Sequence, residues 1–458
     1  MLQPIRLAAI CTGLVILAAA AYFVTHEQWK LFSGAGFVTF YDEQGRSLLQ
    51  GKWDVAPPVL GAEAFVVNGK SYGYFAFAPA LPRVILNYLW PSHFGQWSRL
   101  SMLIGMASLM AAFFSFRELL DVPILFEPLV LLILLAGSTA MFLCASDLIY
   151  HEAIMWGSAL ALWANIWSGW YMKTGRFRFL ILGALCGFGS FFARGPSGLA
   201  ALTCACLLLV ALVVQELSAG SLNFSWLKIF AKWCGATQPR HRIAHAVFLL
   251  FYLASTVIAF SLINHAKFGS YFDAMPIRYN LIFPPKRLDH IQGTLFHPEY
   301  IPVLAADYLD PTHIRLTSKF PYIGPTDVAY WHDKFDQVEP YASFSAAMPA
   351  ALFLAGAGVW FLFRPGGARF QWCAPLLLAG LPSAAVLFSF AFITYRYEHD
   401  LYPVLFPSAM LGAVWVTQIT NPGVRRLTVA ALVLAAGWSV WANICLLHEL
   451  QVRSFWAN

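Results

Sequence analysis

The sequence predicts an all-α polytopic membrane protein with about eleven membrane-spanning helices. Three observations carry this. Of 458 residues, 59% are hydrophobic and 11% charged, against about 45–50% and 25% in soluble domains. The mean hydropathy is +0.63. The apolar residues, 39 Phe and 17 Trp among them, gather into runs near the roughly 20 residues that a bilayer-crossing helix needs. This excess has to face lipid, which excludes an ordinary cytosolic enzyme and a disordered or fibrous chain. The net charge of +6 comes from short basic clusters between apolar runs. Helix orientation in a membrane explains that pattern better than nucleic-acid binding does.

Taken in order, the first run, 7–24, exceeds the apolar stretch of about 7–15 residues in a cleavable signal and reads as an uncleaved anchor. A long loop, 25–99, follows. Within it 72–90 is apolar but interrupted by Pro79, Pro82 and Arg83, so it reads as a segment on the membrane surface. Runs 100–116, 122–144 and 153–171 are the next spans. Runs 179–193 and 199–214 are short and meet at Arg194-Gly195-Pro196-Ser197-Gly198, as a helical hairpin would. Run 243–263 leads into a second long loop, 264–343, polar and rich in Pro and aromatic residues, with a short helix expected near 299–308. Runs 344–363, 372–393, 401–419 and 427–447 complete the set. The chain 1–458 thus reads as one transmembrane domain without internal repeats.

Charge sets the orientation. With the N-terminus in the cytoplasm, the cytoplasmic segments carry Arg6, Arg117, Lys173, Arg176, Arg178, Lys228, Lys232, Arg240, Arg242, Arg364, Arg369, Arg425 and Arg426. The short loops opposite carry Arg194, Arg396 and Arg453. Loops longer than about 60 residues are poor indicators and are left out. The bias puts the C-terminus and both long loops outside. The eight cysteines fall mostly within runs, form no CxxC pair and are absent from the long loops, so they read as packing residues rather than a disulfide framework. His151-Glu152 is not the start of a zinc-binding HExxH, because Met155 occupies the second His position.

Charges held against the membrane by short connections cost several kcal/mol unless partnered, and are functional candidates. Four clusters share the outer face by parity. The first is Tyr41-Asp42-Glu43-Gln44-Gly45-Arg46, after span 1; the second is Asp147 with His151-Glu152, before span 4. The third is the Arg194-Gly195-Pro196 turn, and the fourth is Tyr395-Arg396-Tyr397-Glu398-His399-Asp400. Sugar transfer from a lipid phosphate to a hydroxyl needs this mixture. A carboxylate takes the acceptor proton or holds a metal that does, arginine forks stabilise the departing phosphate, and an apolar groove holds the prenyl chain. Taken singly, each has a bland reading: Asp42 as a helix cap, Arg396 as a partner of Glu398 or Asp400, Glu152 as a helix-start acid.

The arrangement resembles the GT-C superfamily of integral-membrane glycosyltransferases, especially the branch of lipid A aminoarabinose transferases and protein O-mannosyltransferases. That branch carries an Asp-Glu motif soon after span 1, which 42–53 resembles. The resemblance implies Asp42, with Glu43 beside it, as catalytic base. It implies Asp147 or Glu152 as the next outer acidic residue, and Arg396-Tyr397 with Pro403 as the late Arg-Tyr and Pro element, Arg396 facing the donor phosphate. Arg46, His151, Arg194, Tyr395 and Asp400 join them as substrate-binding candidates. Gln44-Gly45-Arg46 departs from the aromatic-rich continuation common after Asp-Glu, leaving sugar and acceptor open. No cofactor is specified, and metal need varies across the superfamily, so a divalent metal stays open.

The implied reaction is an inverting displacement from a polyprenyl-phosphate sugar to an envelope glycan, lipid or protein, with 264–343 as a lid. The expected setting is a bacterial inner membrane with the site facing the periplasm or exterior. A multispanning transporter or flippase of a lipid-linked or amphipathic solute is the main alternative, and a non-catalytic assembly subunit the third. A transporter predicts ionisable residues at mid-depth; here they gather at the ends of the runs.

Overall fold

The computed structural model describes residues 2–33, 39–218, 233–234, 236–273, 275–326 and 336–453. Lys228 and Lys232 of the charge count lie outside them. The described chain is predominantly helical: α1 Leu2–Val24, α2 Phe40–Leu49, α3 Ala80–Leu89, α4 Ser98–Leu120, α5 Glu127–Leu135, α6 Thr139–Cys144, α7 Ile149–Thr174, α8 Phe177–Phe191, α9 Gly195–Ser218, α10 Pro239–Phe268, α11 Ile301–Leu309, α12 Pro349–Leu362, α13 Gly380–Ser389, α14 Tyr402–Gln418 and α15 Pro422–Arg453, with shorter turns between. Among the described residues, six helical stretches are long and apolar enough to cross a membrane: Gln3–Val24, Ser98–Leu120, Gly195–Leu217, Pro239–Phe268, Pro365–Ser389 and Pro422–Val452. Phe177–Phe191 and Pro349–Leu362 are apolar but shorter. The protein is a helical membrane protein.

Three expected runs are broken rather than continuous. Run 122–144 divides into α5 and α6 where Gly137 presses on α15; a Cβ there would lie 3.1 Å from the Cβ of Ser439. Ser138 then turns extended and its side chain accepts the Ala140 N–H, capping α6. Run 344–363 breaks at Met348, with Pro349 at the first position of α12. Run 372–393 begins in a 3₁₀ segment, Pro365–Cys373, before the helical turn Ala374–Leu378 and α13. Elsewhere small residues let helices meet backbone to backbone. A Cβ on Gly358 of α12 would fall on the Ser408 carbonyl of α14, and one on Gly412 would fall on the Leu354 carbonyl, as close-packed membrane helices require.

Both long loops are folded over one end of the bundle. In the first, strands β1 Phe65–Val67 and β2 Lys70–Tyr72 pair antiparallel around Asn68-Gly69, both at positive φ, the signature of a tight hairpin turn. In the second, α11 matches the helix expected near 299–308. The loops meet at an isolated bridge between Phe65 and Asn280. Residues Gln337–Val338 run parallel to Phe392–Ile393, joining the second loop to the connection before α14. Helix α3 lies within 72–90; it is too short to span and turns Leu81, Ile85, Tyr88 and Leu89 outward while burying Ala80 and Arg83.

Candidate active site

Helix α2 opens with Asp42 and Glu43 in its first turn, where the helix dipole favours acids. Gly45 is the contact with α3: a Cβ there would lie 3.2 Å from the Ala80 carbonyl and 3.3 Å from the Cβ of Arg83. That approach carries the buried Arg83 guanidinium between two acids from separate elements. Its Nη2 lies 2.5 Å from Glu152 Oε1 and its Nε 3.7 Å from Asp42 Oδ2. Ser101 Oγ donates to the same Glu152 oxygen at 2.6 Å, and Trp156 Nε1 donates to Ser101 at 2.8 Å. Burial pushes the Asp42 carboxyl up, against the opposing pull of Arg83, Asn87 and the Gly95 N–H.

A second couple forms at the α8–α9 turn. Arg194 passes where Gly157 of α7 has no side chain; a Cβ there would sit 2.3 Å from that of Arg194. Arg194 Nε and Nη2 donate to Asp400 Oδ2 at 3.1 and 2.8 Å, and Ser197 Oγ donates to Oδ1 at 2.7 Å. The guanidinium lies 5.0 Å over the Tyr397 ring. The third couple is a fork: Arg396 Nη1 and Nη2 donate to the two oxygens of Glu339 at 2.5 and 2.8 Å. The Glu339 N–H donates to the Ile393 carbonyl at 3.0 Å, so the parallel pairing sets this fork. Arg396 also sits 4.8 Å over Tyr150. Burial raises the Glu63 carboxyl; its hydrogen bond with Tyr150 and the charge of Arg396 act the other way.

The Arg194–Asp400 couple lines a cavity of about 590 Å³. One end is polar, lined by Glu63, Tyr74, Arg194, Tyr397 and Asp400. Elsewhere apolar residues such as Phe191, Leu199, Phe260, Val386 and Phe390 dominate, and the second loop contributes Asp273, Ile277, Asn280, Phe283, Thr294 and Leu295 to the wall. Ala153, the residue after Glu152, is in the wall, so the Asp42–Arg83–Glu152 cluster adjoins the cavity through the start of α7.

Of the candidates read from sequence, Arg194, Tyr397 and Asp400 line the cavity. Asp42 and Glu152 are brought together behind its wall by Arg83, and Arg396 is held by Glu339. Others point elsewhere. Glu43 pairs with Arg46 at 3.2 Å, and Arg46 stacks over Phe94, exposed. Asp147 is engaged by Arg99 at 3.0 Å. His151 is buried with Nδ1 3.2 Å from the Leu143 carbonyl. The Tyr395 hydroxyl donates to Asn443 of α15 at 2.7 Å, anchoring the turn rather than facing the cavity. Arg83, Glu63 and Glu339 were not among the candidates; a lone arginine inside an apolar stretch is the signal that Arg83 gave. Glu398 is fully buried and burial holds its carboxyl well above the usual range. Among the described residues no three His, Cys, Asp or Glu side chains form a metal-binding group; the cavity's carboxylates are coupled to guanidinium or phenol groups instead.

No protein-family model matches the chain, and no curated protein matches it. Among solved structures, the chain is similar to the apo crystal structure of an oligosaccharyltransferase from Archaeoglobus fulgidus, with 11% identity and a TM-score of 0.44. The match covers 95% of this chain and 55% of that one, so the chain spans about half the length of that protein.

Proposed function

We propose that this protein is a GT-C-type membrane glycosyltransferase that moves a sugar from a polyprenyl-phosphate donor to a cell-envelope glycan, lipid or protein. The observation that carries the reading is the amphipathic cavity. Its arginine- and carboxylate-lined end suits a sugar phosphate, and its Phe191, Leu199, Phe260 and Val386 wall suits a prenyl chain. The acceptor hydroxyl attacks the anomeric carbon as the carbon–oxygen bond to phosphate breaks, inverting the centre. Two carboxyls compete to take the hydroxyl proton: Glu63, already in the cavity wall, and Asp42, buried behind it, which acts only if the wall beside Ala153 opens to the acceptor. The leaving phosphate gains charge, and Arg194 stabilises it, with the Arg396 charge behind Tyr397. In this reading all eleven runs cross or enter the bilayer, the N-terminus is cytoplasmic, and the cavity opens on the periplasmic or exterior face of a bacterial inner membrane. A transporter would carry the whole donor across and release no prenyl phosphate. No residue set here defines a metal, and no step is routed through one.

A polyprenyl phosphate bearing a photoreactive group near its head tests the site. Crosslinks should map to peptides containing Phe191, Leu199 or Val386 and should fall when unlabelled polyprenyl phosphate is added. Crosslinks confined to lipid-facing helices, indifferent to competitor, would contradict the assignment.

A further inference from the structure

The opposite ends of α7, α8 and α10 line a second, open cavity of about 900 Å³. Arg176, Arg178, Arg240, His241 and His245 line it, and among the described residues that line it none is acidic. The first cavity reaches Ala153 of α7, whereas this one reaches Thr174; at 1.5 Å per residue they lie about 30 Å apart along that helix.

Cations near span ends are expected from orientation alone, but one feature here exceeds that need. His245 is buried and its ring is fixed. Phe177 stacks on it at 4.9 Å, and Thr237 Oγ1 donates to the Tyr171 hydroxyl at 3.2 Å, which in turn lies 3.0 Å from His245 Nδ1. With Nδ1 accepting from Tyr171, the neutral ring carries its proton on Nε2 as a donor. From the cavity the lipid-facing surface of α10 leads away along Val247, Leu250 and Phe251, 60%, 58% and 70% exposed, where an acyl chain of a bound lipid would lie. Helices α8 and α10 also begin at the cavity, with Phe177 and Gln238 in its wall, adding the positive ends of two helix dipoles to the arginines.

We propose that this cavity seats the phosphate of an anionic phospholipid headgroup. Arg176, Arg178 and Arg240 bind the phosphate, His245 Nε2–H adds a neutral donor, and an acyl chain lies along Val247 and Phe251. Basic pockets between membrane helices bind such headgroups. A free phosphate ion would satisfy the same cations but leave the apolar strip unused.

Native mass spectrometry of the full chain in neutral detergent, with equimolar phosphatidylglycerol and phosphatidylcholine, tests this. Phosphatidylglycerol adducts should dominate. The R176A/R178A/R240A variant should weaken them on the order of a hundredfold, and the corresponding all-lysine variant, which keeps the charges, should largely retain them. V247D should weaken phosphatidylglycerol with the arginines intact. Equal binding of the two lipids, undiminished preference in the alanine variant, or displacement of the lipid by inorganic phosphate would overturn the proposal.

Discussion

At the residue scale, the question is how Asp42, Arg83 and Glu152 remain buried together. Two carboxyls share one guanidinium, and isolated buried charges cost several kcal/mol each. One acid can lower that cost by keeping a proton. Burial raises the Asp42 carboxyl, moving it toward the range where a carboxylate accepts a proton efficiently. The sign follows directly: the ionised form is the base, so donor cleavage should rise with pH through the Asp42 pKa. That acid limb should lie above the roughly 3.9 of an ordinary aspartate. In Asp42→Asn the limb should vanish with the activity, while Glu63→Gln should keep it. The reverse pattern would transfer the role to Glu63, whose carboxyl burial also raises. The sequence exposed Asp42, Glu152, Arg194 and Asp400 because charges beside short connections demand partners. It hid Glu63 and Glu339, which stand in polar loops where any carboxylate could be solvated.

At the element scale, glycines decide which helices approach closely enough to build the site. Gly157 lets Arg194 lie against α7 on its way to Asp400. Gly157→Val should push Arg194 off Asp400, lower donor cleavage by about tenfold or more, and lower stability by about 1–3 kcal/mol. Gly356→Val, in open space on α12, should leave rate and melting temperature unchanged. A Gly157→Val variant with full activity would remove Arg194 from the proposed chemistry. The helical membrane character was legible because length and apolarity report lipid contact, and six helical stretches among the described residues are long and apolar enough to cross. The breaks at Gly137-Ser138 and Met348-Pro349 were not, since apolar residues continue across both and only the neighbouring helices reveal the interruption. Asn68-Gly69 carried a readable hairpin signal, but the strands around it are three residues each, too short for alternation to show.

At the scale of the whole molecule, the two cavities occupy opposite ends of α7, and the second long loop contributes to the wall of the first. Ile277, Asn280, Phe283 and Leu295 are in its wall, while Gln292 and Gly293 between them are exposed. Donor bound beneath should slow limited proteolysis near Gln292–Gly293 several-fold in nanodiscs; equal cleavage with and without donor would count against a lid. The sequence predicts this loop on the outer side of the membrane from its charge bias. It could not place the loop on the cavity, because bridges such as Phe296 to Phe390 join residues far apart in the chain.

The most direct measurement follows prenyl phosphate release by mass spectrometry, with the purified chain in lipid nanodiscs and a panel of polyprenyl-phosphate sugars and envelope acceptors. A glycosyltransferase should give release with at least one donor, and a loss of about 100-fold or more in Asp42→Asn. Binding of donors without release across every acceptor, or movement of intact donor between leaflets, would contradict this reading and favour a transporter.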